Sequence, residues 1–171
     1  MKQLLLSGLI TVALLLSGCG YHLVGHGDGI ATIPPDVKTV SLIVRGSADQ
    51  QVKSMLNQQL ASDQYTLIES QDVIDQEGHA NLHVNISPLG FYPSAYDAAG
   101  VATQYRMVFS GSLKIIRGDG KSIWQSGLIQ RQGDVYVTGG PTSIEASRER
   151  LLEDLRKQWI QDALGRLRSG F

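Results

Sequence analysis

The sequence predicts an α+β domain in which two helices pack on one face of a mostly antiparallel or mixed four-stranded sheet, as a two-layer sandwich with a long β-hairpin. Three observations support this fold class. Apolar residues alternate in several segments, as in strands, and recur at three- and four-residue steps over 49–62 and 143–168, as in helices. Gly118-Asp119-Gly120 marks a tight turn between the two longest strand segments. The order strand, helix, three or four strands, helix leaves one sheet face without a covering layer.

Residues 1–18 have the layout of a secretory signal. Lys2 supplies a basic start, and an uncharged run follows from Leu4 to Leu16. This run of 13 residues is shorter than the roughly 20 residues that a membrane-spanning helix needs. A buried hydrophobic helix is the alternative, but the run starts at the chain start and ends in small residues.

Cys19 is the only cysteine, so neither an intramolecular disulfide nor a cysteine-based metal cage can form. It ends the segment Leu16-Ser17-Gly18-Cys19, which resembles the lipobox of bacterial lipoproteins. That resemblance implies a diacylglyceryl group on the Cys19 sulfur, cleavage before Cys19 and a further acyl chain such as palmitate. Three chains anchor a protein far more firmly than one. Gly20 stands where an Asp would favour the inner membrane, so the resemblance implies the outer membrane.

After Cys19, residues 19–36 are predicted to form a lipidated tether, rich in Gly and ending in Pro34-Pro35. Residues 37–171 follow as a single domain. Its first elements are a strand over 37–45, an amphipathic helix over 49–62, a short strand at Tyr65–Ile68 and a half-buried strand through Leu82, Val84 and Ile86. Pro88, Pro93 and Gly100 predict a loop that carries Phe91, Tyr92 and Tyr96.

The longest strand signal begins at Tyr105 and runs to Ile116. A return strand is predicted from Ser122 towards Val137, with Trp124 and Leu128 on one face and Gln125 and Arg131 on the other. Bends or bulges are expected at Gly111, Gly127 and Gly133. A final helix over 143–168 follows the capping-box spacing of Thr142 and Glu145.

No motif of an enzyme, phosphate-binding loop or dinucleotide site is present. His79 and His83 have the spacing of zinc ligands on a helix. On the predicted strand, however, four residues span roughly 13 Å, which is too far for one metal ion. We therefore expect a protein without catalytic activity, metal or cofactor.

The formal charge of −1 conceals an uneven distribution. Residues 19–100 carry three basic and nine acidic side chains (net −6), and residues 101–171 carry eleven and seven (net +4). Arg106, Lys114 and Arg131 fall on the polar face of the predicted hairpin, where they could meet an anionic lipid headgroup. The alternative is a solvated strand face. The near-zero total charge argues against binding to nucleic acid.

Two segments resemble one known family. Cys19-Gly20-Tyr21-His22-Leu23 is similar to the start of the mature lipopolysaccharide-assembly lipoprotein LptE, and Thr103-Gln104-Tyr105-Arg106-Met107 resembles the family's entry into its long hairpin. The resemblance implies two helices against a four-stranded sheet and a place inside the lumen of the outer-membrane β-barrel LptD. It also implies assistance to LptD folding and binding of lipopolysaccharide. Under this resemblance, Arg106, Lys114 and Arg131 are candidate lipopolysaccharide contacts.

A different function stays open. A periplasm-facing lipid-binding lipoprotein, or an assembly accessory with another partner, would need an apolar cavity large enough for acyl chains. The predicted layout instead gives a tight helix–sheet core.

Overall fold

The described elements are seven strands and two helices. The computed structural model describes residues 33–34, 36–46, 50–62, 66–68, 76–137 and 141–170. In chain order the elements are β1 (Thr39–Gly46), α1 (Gln50–Ser62), β2 (Thr66–Ile68), β3 (His79–Ile86), β4 (Gly90–Tyr96), β5 (Ala102–Arg117), β6 (Ser122–Gln125), β7 (Ile129–Tyr136) and α2 (Pro141–Ser169). The predicted leader, Cys19 and nearly all of the predicted tether lie outside the described residues.

Strand β5 is the central strand of the sheet. Its 16 residues span roughly 53 Å, and both of its edges are occupied along most of this length. Strands β3 and β4 follow each other along one edge, while β6 and β7 follow each other along the other, all antiparallel to β5. Strand β1 pairs in parallel with β3 and β2. The sheet therefore has a five-stranded half, β2-β1-β3-β5-β6, and a three-stranded half, β4-β5-β7.

Both edges of β5 carry a bulge near its middle. Residues 87–89 lie opposite two β5 residues, and residues 126–128 do the same on the other edge. Gly127 adopts a positive φ of 66°, which glycine tolerates best. Because bulges bend a strand and increase its twist, the sheet curls where its two halves meet.

The α+β class and the two helices are confirmed, but the prediction of four strands is wrong. The predicted return strand is two strands, β6 and β7, separated by the bulge at Gly127. The predicted loop over 88–100 contains a further strand, β4. Pro93 lies within it because β4 is an edge strand, where a missing backbone N–H costs no ladder bond.

Both helices pack on the same face of the sheet and close one hydrophobic core. Helix α1 contributes Val52, Leu56 and Leu60, each fully buried. The core continues through the inward side chains of β1, β3, β5 and β7 and the last four turns of α2, including Val40, Leu42, Leu82, Val84, Leu113, Ile115, Ile129, Leu155, Ile160, Ala163 and Leu167.

Trp159 of α2 fixes the helix over the curl of the sheet. Its indole Nε1 donates a hydrogen bond of 3.1 Å to the carbonyl oxygen of Ile129, and its ring meets Phe109 edge-to-face at 5.8 Å. A Cβ on Gly111 would lie 2.7 Å from the Asn85 carbonyl oxygen and 2.9 Å from the Trp159 ring. Only glycine therefore lets the indole lie this close to β5.

The N-terminal half of α2 covers the three-stranded half of the sheet more lightly. Leu151 packs against Gly133, and the Arg148 guanidinium lies 5.1 Å above the ring of Phe91. Phe91 in turn stacks on Tyr105 at 5.0 Å. Neither α1 nor α2 combines the length and the apolar character that a membrane-crossing helix requires.

Candidate ligand-binding face

The sheet face opposite the helices, called the outer face below, carries the side chains that alternate with those of the core. In β5 these are the even-numbered residues, because Met107, Phe109, Leu113 and Ile115 are buried in the core. The register extends the outer face to His83 and Asn85 of β3, to Arg45 of β1 and to Gln132 and Asp134 of β7. The outer face is predominantly polar, as the alternation in the sequence predicts.

Arg106 lies on the outer face and is bound to a carboxylate. Its Nε donates a 3.0 Å hydrogen bond to Asp134 Oδ1, and Nη2 donates a 3.3 Å bond to Oδ2. The hydrogen bond from Arg106 holds the pKa of Asp134 below its ordinary value, and the bond to Asp134 raises the pKa of Arg106. The positive charge predicted to attract an anion is thus already balanced within the protein.

Lys114 also lies on the outer face, in a different electrostatic setting. It is exposed and forms no ion pair with any described residue. His83 lies directly across from it on β3, and Arg45 is a diagonal neighbour of His83 on β1. No Asp or Glu occupies an outer-face position of the described part of β1, β3 or β6, or of the adjoining half of β5. Arg45, His83 and Lys114 form what we call the basic patch.

Arg131 lies on the opposite face from Arg106 and Lys114, so its predicted phase is wrong. It pairs with Phe109, a core-facing residue, and its guanidinium forms an ion pair with Asp162 of α2. The cause is the extra residue in the 126–128 bulge, because an insertion of one residue exchanges the two faces of every later strand position. Arg131 therefore joins β7 to α2.

The start of the outer face is a buried polar corner. His79 is fully buried, with its Nδ1 2.8 Å from the Thr39 hydroxyl and its Nε2 donating to the Asn81 side-chain oxygen at 3.3 Å. The neighbouring Ser41 hydroxyl is buried and has no hydrogen-bond partner among the described residues. His79 thus has two protein partners, and no metal-binding group of three or more His, Cys, Asp or Glu occurs among the described residues.

The other end of the outer face combines tyrosines with amides. Tyr92 of β4 and Tyr136 of β7 are 48% and 62% exposed. The register places Gln104 opposite Tyr136. Gln132 lies two residues before Asp134 on β7 and on the same face. Together with the Arg106–Asp134 pair, these four residues form what we call the aromatic platform. Sequence reasoning assigned Tyr92 to a loop, and only the pairing of β4 with β5 brings it to this face.

A cavity of about 740 Å³ lies beside the turn that joins β5 to β6. Asp36 and Arg117 form an ion pair of 3.0 Å on its wall. The described residues of its lining are polar or glycine: Asp36, Lys38, Gln76, Glu77, Gly78, Arg117 and Asp119. This lining does not suit an acyl chain.

No family model and no curated protein matches this sequence. Solved structures do match. Rare lipoprotein B from Shewanella oneidensis has a TM-score of 0.60 at 11% identity, covering 76% of this chain and 95% of that one. Lipoprotein B from Nitrosomonas europaea has a TM-score of 0.58 at 10% identity, covering 78% and 84%. A minor lipoprotein from Acinetobacter baumannii has a TM-score of 0.54 at 12% identity, covering 78% and 92%.

These likenesses extend over most of each compared chain, so they concern the whole arrangement of sheet and helices. The resemblance to LptE that the sequence motifs indicate is thereby confirmed in the fold, which is that of the rare lipoprotein B structures.

Proposed function

We propose that this chain is an outer-membrane lipoprotein of the LptE family, anchored through lipidated Cys19, which plugs the LptD barrel, assists LptD folding and takes part in lipopolysaccharide transport. The observation that carries the proposal is the fold likeness to three bacterial lipoprotein structures over 76–78% of this chain. The lipobox-like segment ending at Cys19 supports it independently from the sequence. The proposed role is binding and assembly rather than catalysis.

The outer face supports the lipopolysaccharide part of the proposal. The basic patch offers Lys114, an exposed cation on a stretch of sheet with no described carboxylate, and phosphate groups bind such cations. Of the three residues predicted from the sequence, Lys114 is the best candidate for a phosphate contact. Arg106 and Arg131 already neutralise Asp134 and Asp162.

The rival function, a periplasmic carrier of acyl chains, fits the structure less well. The space between helices and sheet is filled by Leu56, Leu82, Trp159 and their neighbours, all fully buried. The described residues around the cavity beside Arg117 are charged, polar or glycine. A carrier would shield acyl chains from water in an apolar cavity, and neither region offers one.

The test is purification of the full-length lipidated protein from detergent-solubilised outer membranes. We expect a large β-barrel protein to be recovered with it in near-equal amount. Recovery of the protein alone, or with a soluble periplasmic partner, would count against the plug and for the rival function.

A further inference from the structure

We propose that the aromatic platform binds neutral sugar residues, so that the outer face holds a phosphorylated glycolipid at two places, by phosphate at the basic patch and by sugar at the platform. This inference rests on the proposed function, which supplies a ligand carrying both groups. It adds a second subsite with its own residues and its own chemistry.

The register gives the platform its dimensions. Tyr92, Arg106 and Asp134 form one row across β4, β5 and β7. Adjacent strands lie about 4.8 Å apart, so the row is roughly 10 Å wide between its outer Cα atoms. Tyr136 and Gln104 form the next row along the strands. The resulting surface has the width of one or two sugar rings.

The chemistry of the platform matches an uncharged polyhydroxylated ligand. The face of a tyrosine ring carries partial negative charge, which attracts the slightly positive C–H groups of a sugar ring. The amides of Gln104 and Gln132 both donate and accept hydrogen bonds, as sugar hydroxyls do. Because Arg106 and Asp134 neutralise each other, the platform carries no net charge that would favour an ion.

The basic patch and the platform lie on the same strand. Lys114 and Arg106 are eight residues apart on the outer face of β5, or roughly 26 Å when measured along the curled strand. An extended glycolipid lying along β5 would therefore place its phosphate at Lys114 and its sugars at the Arg106 row. The residues between them, Val108, Ser110 and Ser112, are uncharged.

The test uses the full-length lipidated protein in detergent and two probes, a deacylated and dephosphorylated lipopolysaccharide oligosaccharide and inorganic pyrophosphate. Tyr92→Ala and Tyr136→Ala should each weaken oligosaccharide binding by about 3- to 10-fold and leave pyrophosphate binding unchanged. Lys114→Ser should weaken pyrophosphate binding and leave oligosaccharide binding unchanged. Leu128→Ala, which removes another exposed apolar side chain away from the platform, is the matched control and should change neither.

Tyr92→Phe separates the ring from the hydroxyl and should keep most of the oligosaccharide affinity. Binding of pyrophosphate without any binding of oligosaccharide would overturn the platform while leaving the basic patch in place. Equal loss of oligosaccharide binding in the Leu128 control would overturn it as well. Failure to recover a barrel, with oligosaccharide binding intact, would overturn the proposed function instead.

Discussion

Lys114 and Arg106 show how the same charge on the same strand face leads to different chemistry. Arg106 is held in a two-point contact by Asp134, whereas Lys114 lies opposite His83 and has no described carboxylate beside it. An incoming phosphate would compete with Asp134 for the charge of Arg106. It meets no such competitor at Lys114.

The first prediction concerns Lys114. Lys114→Ser should weaken binding of lipopolysaccharide by roughly fivefold, because one exposed charge contact is lost. Lys121→Ser removes the same charge from the turn of the same hairpin and should leave the affinity unchanged. Equal affinities for both variants and the unaltered protein, measured by titration at one fixed salt concentration, would return Lys114 to the role of a solvated surface residue.

The Arg106–Asp134 pair should make stability depend on pH in one direction. The pKa of Asp134 is lowered in the folded protein, so the pair's contribution is present above the ordinary carboxyl range and disappears as pH falls through the lowered value. Asp134→Asn should therefore lower the denaturation midpoint at pH 7, with a difference from the unaltered protein that shrinks below about pH 4. A difference that stays constant down to pH 3 would contradict the ion-pair explanation.

At the scale of single elements, the bulge at Gly127 explains both what the sequence predicted and what it missed. Alternation and the Asp-Gly turn were enough to place the hairpin, and Gly127 was expected to interrupt it. Pattern alone does not say whether a glycine bends a strand or adds a residue to it. Here it adds one, and this moves Arg131 from the outer face to the helix face.

Strand β4 was missed for a related reason. Pro93 and the neighbouring Pro88 and Gly100 are loop signals in any local sequence window. Pairing with β5 overrides them, because the register shifts around Ala95 absorb the irregular backbone. Tyr92 could not be assigned to a face without that long-range pairing.

A glycine pair tests how closely α2 packs on β5. Gly111→Ala should lower the free energy of unfolding by about 1–3 kcal/mol, since the new methyl group would meet the Asn85 carbonyl oxygen and the Trp159 ring. Gly165→Ala, on the same helix as Trp159 and with nothing within 4 Å of the added Cβ, should instead raise it by about 1 kcal/mol. Urea denaturation of both variants measures the difference, and two equal shifts would argue against the close approach at Gly111.

At the scale of the whole molecule, the sequence predicted the two layers and the helix face because the apolar periodicities of the helices and of β5 are long and regular. It did not predict the division of the sheet into two halves. That division depends on β5 being shared by four antiparallel partners, which no local pattern contains. The likeness to the lipoprotein structures then came from the whole arrangement rather than from any one motif.

The predicted anchor is also a property of the whole molecule. Cys19→Ala should prevent lipidation and leave a precursor that keeps its leader or reaches the wrong compartment, because the leader is removed at the modified cysteine in the lipoproteins that Leu16-Ser17-Gly18-Cys19 resembles. Membrane fractionation with mass determination of the mature N-terminus measures this. Normal fractionation and a normal mass for the variant would refute the anchor.

The central position of β5, which pairs with four other strands, constrains how this chain can fold. Strand β5 needs partners that lie both before and after it, β1 meets β3 across a 40-residue separation, and Trp159 arrives only with the last helix. Topologies with so many distant contacts form slowly, because the entropy of closing long loops is lost before the contacts are gained. A chain that leaves the ribosome N-terminus first therefore has no complete core until Trp159 and the last turns of α2 have emerged. If residues 1–18 direct export, as the sequence predicts, a core that forms slowly would leave the chain unfolded, and so able to pass a narrow channel, before it crosses the membrane.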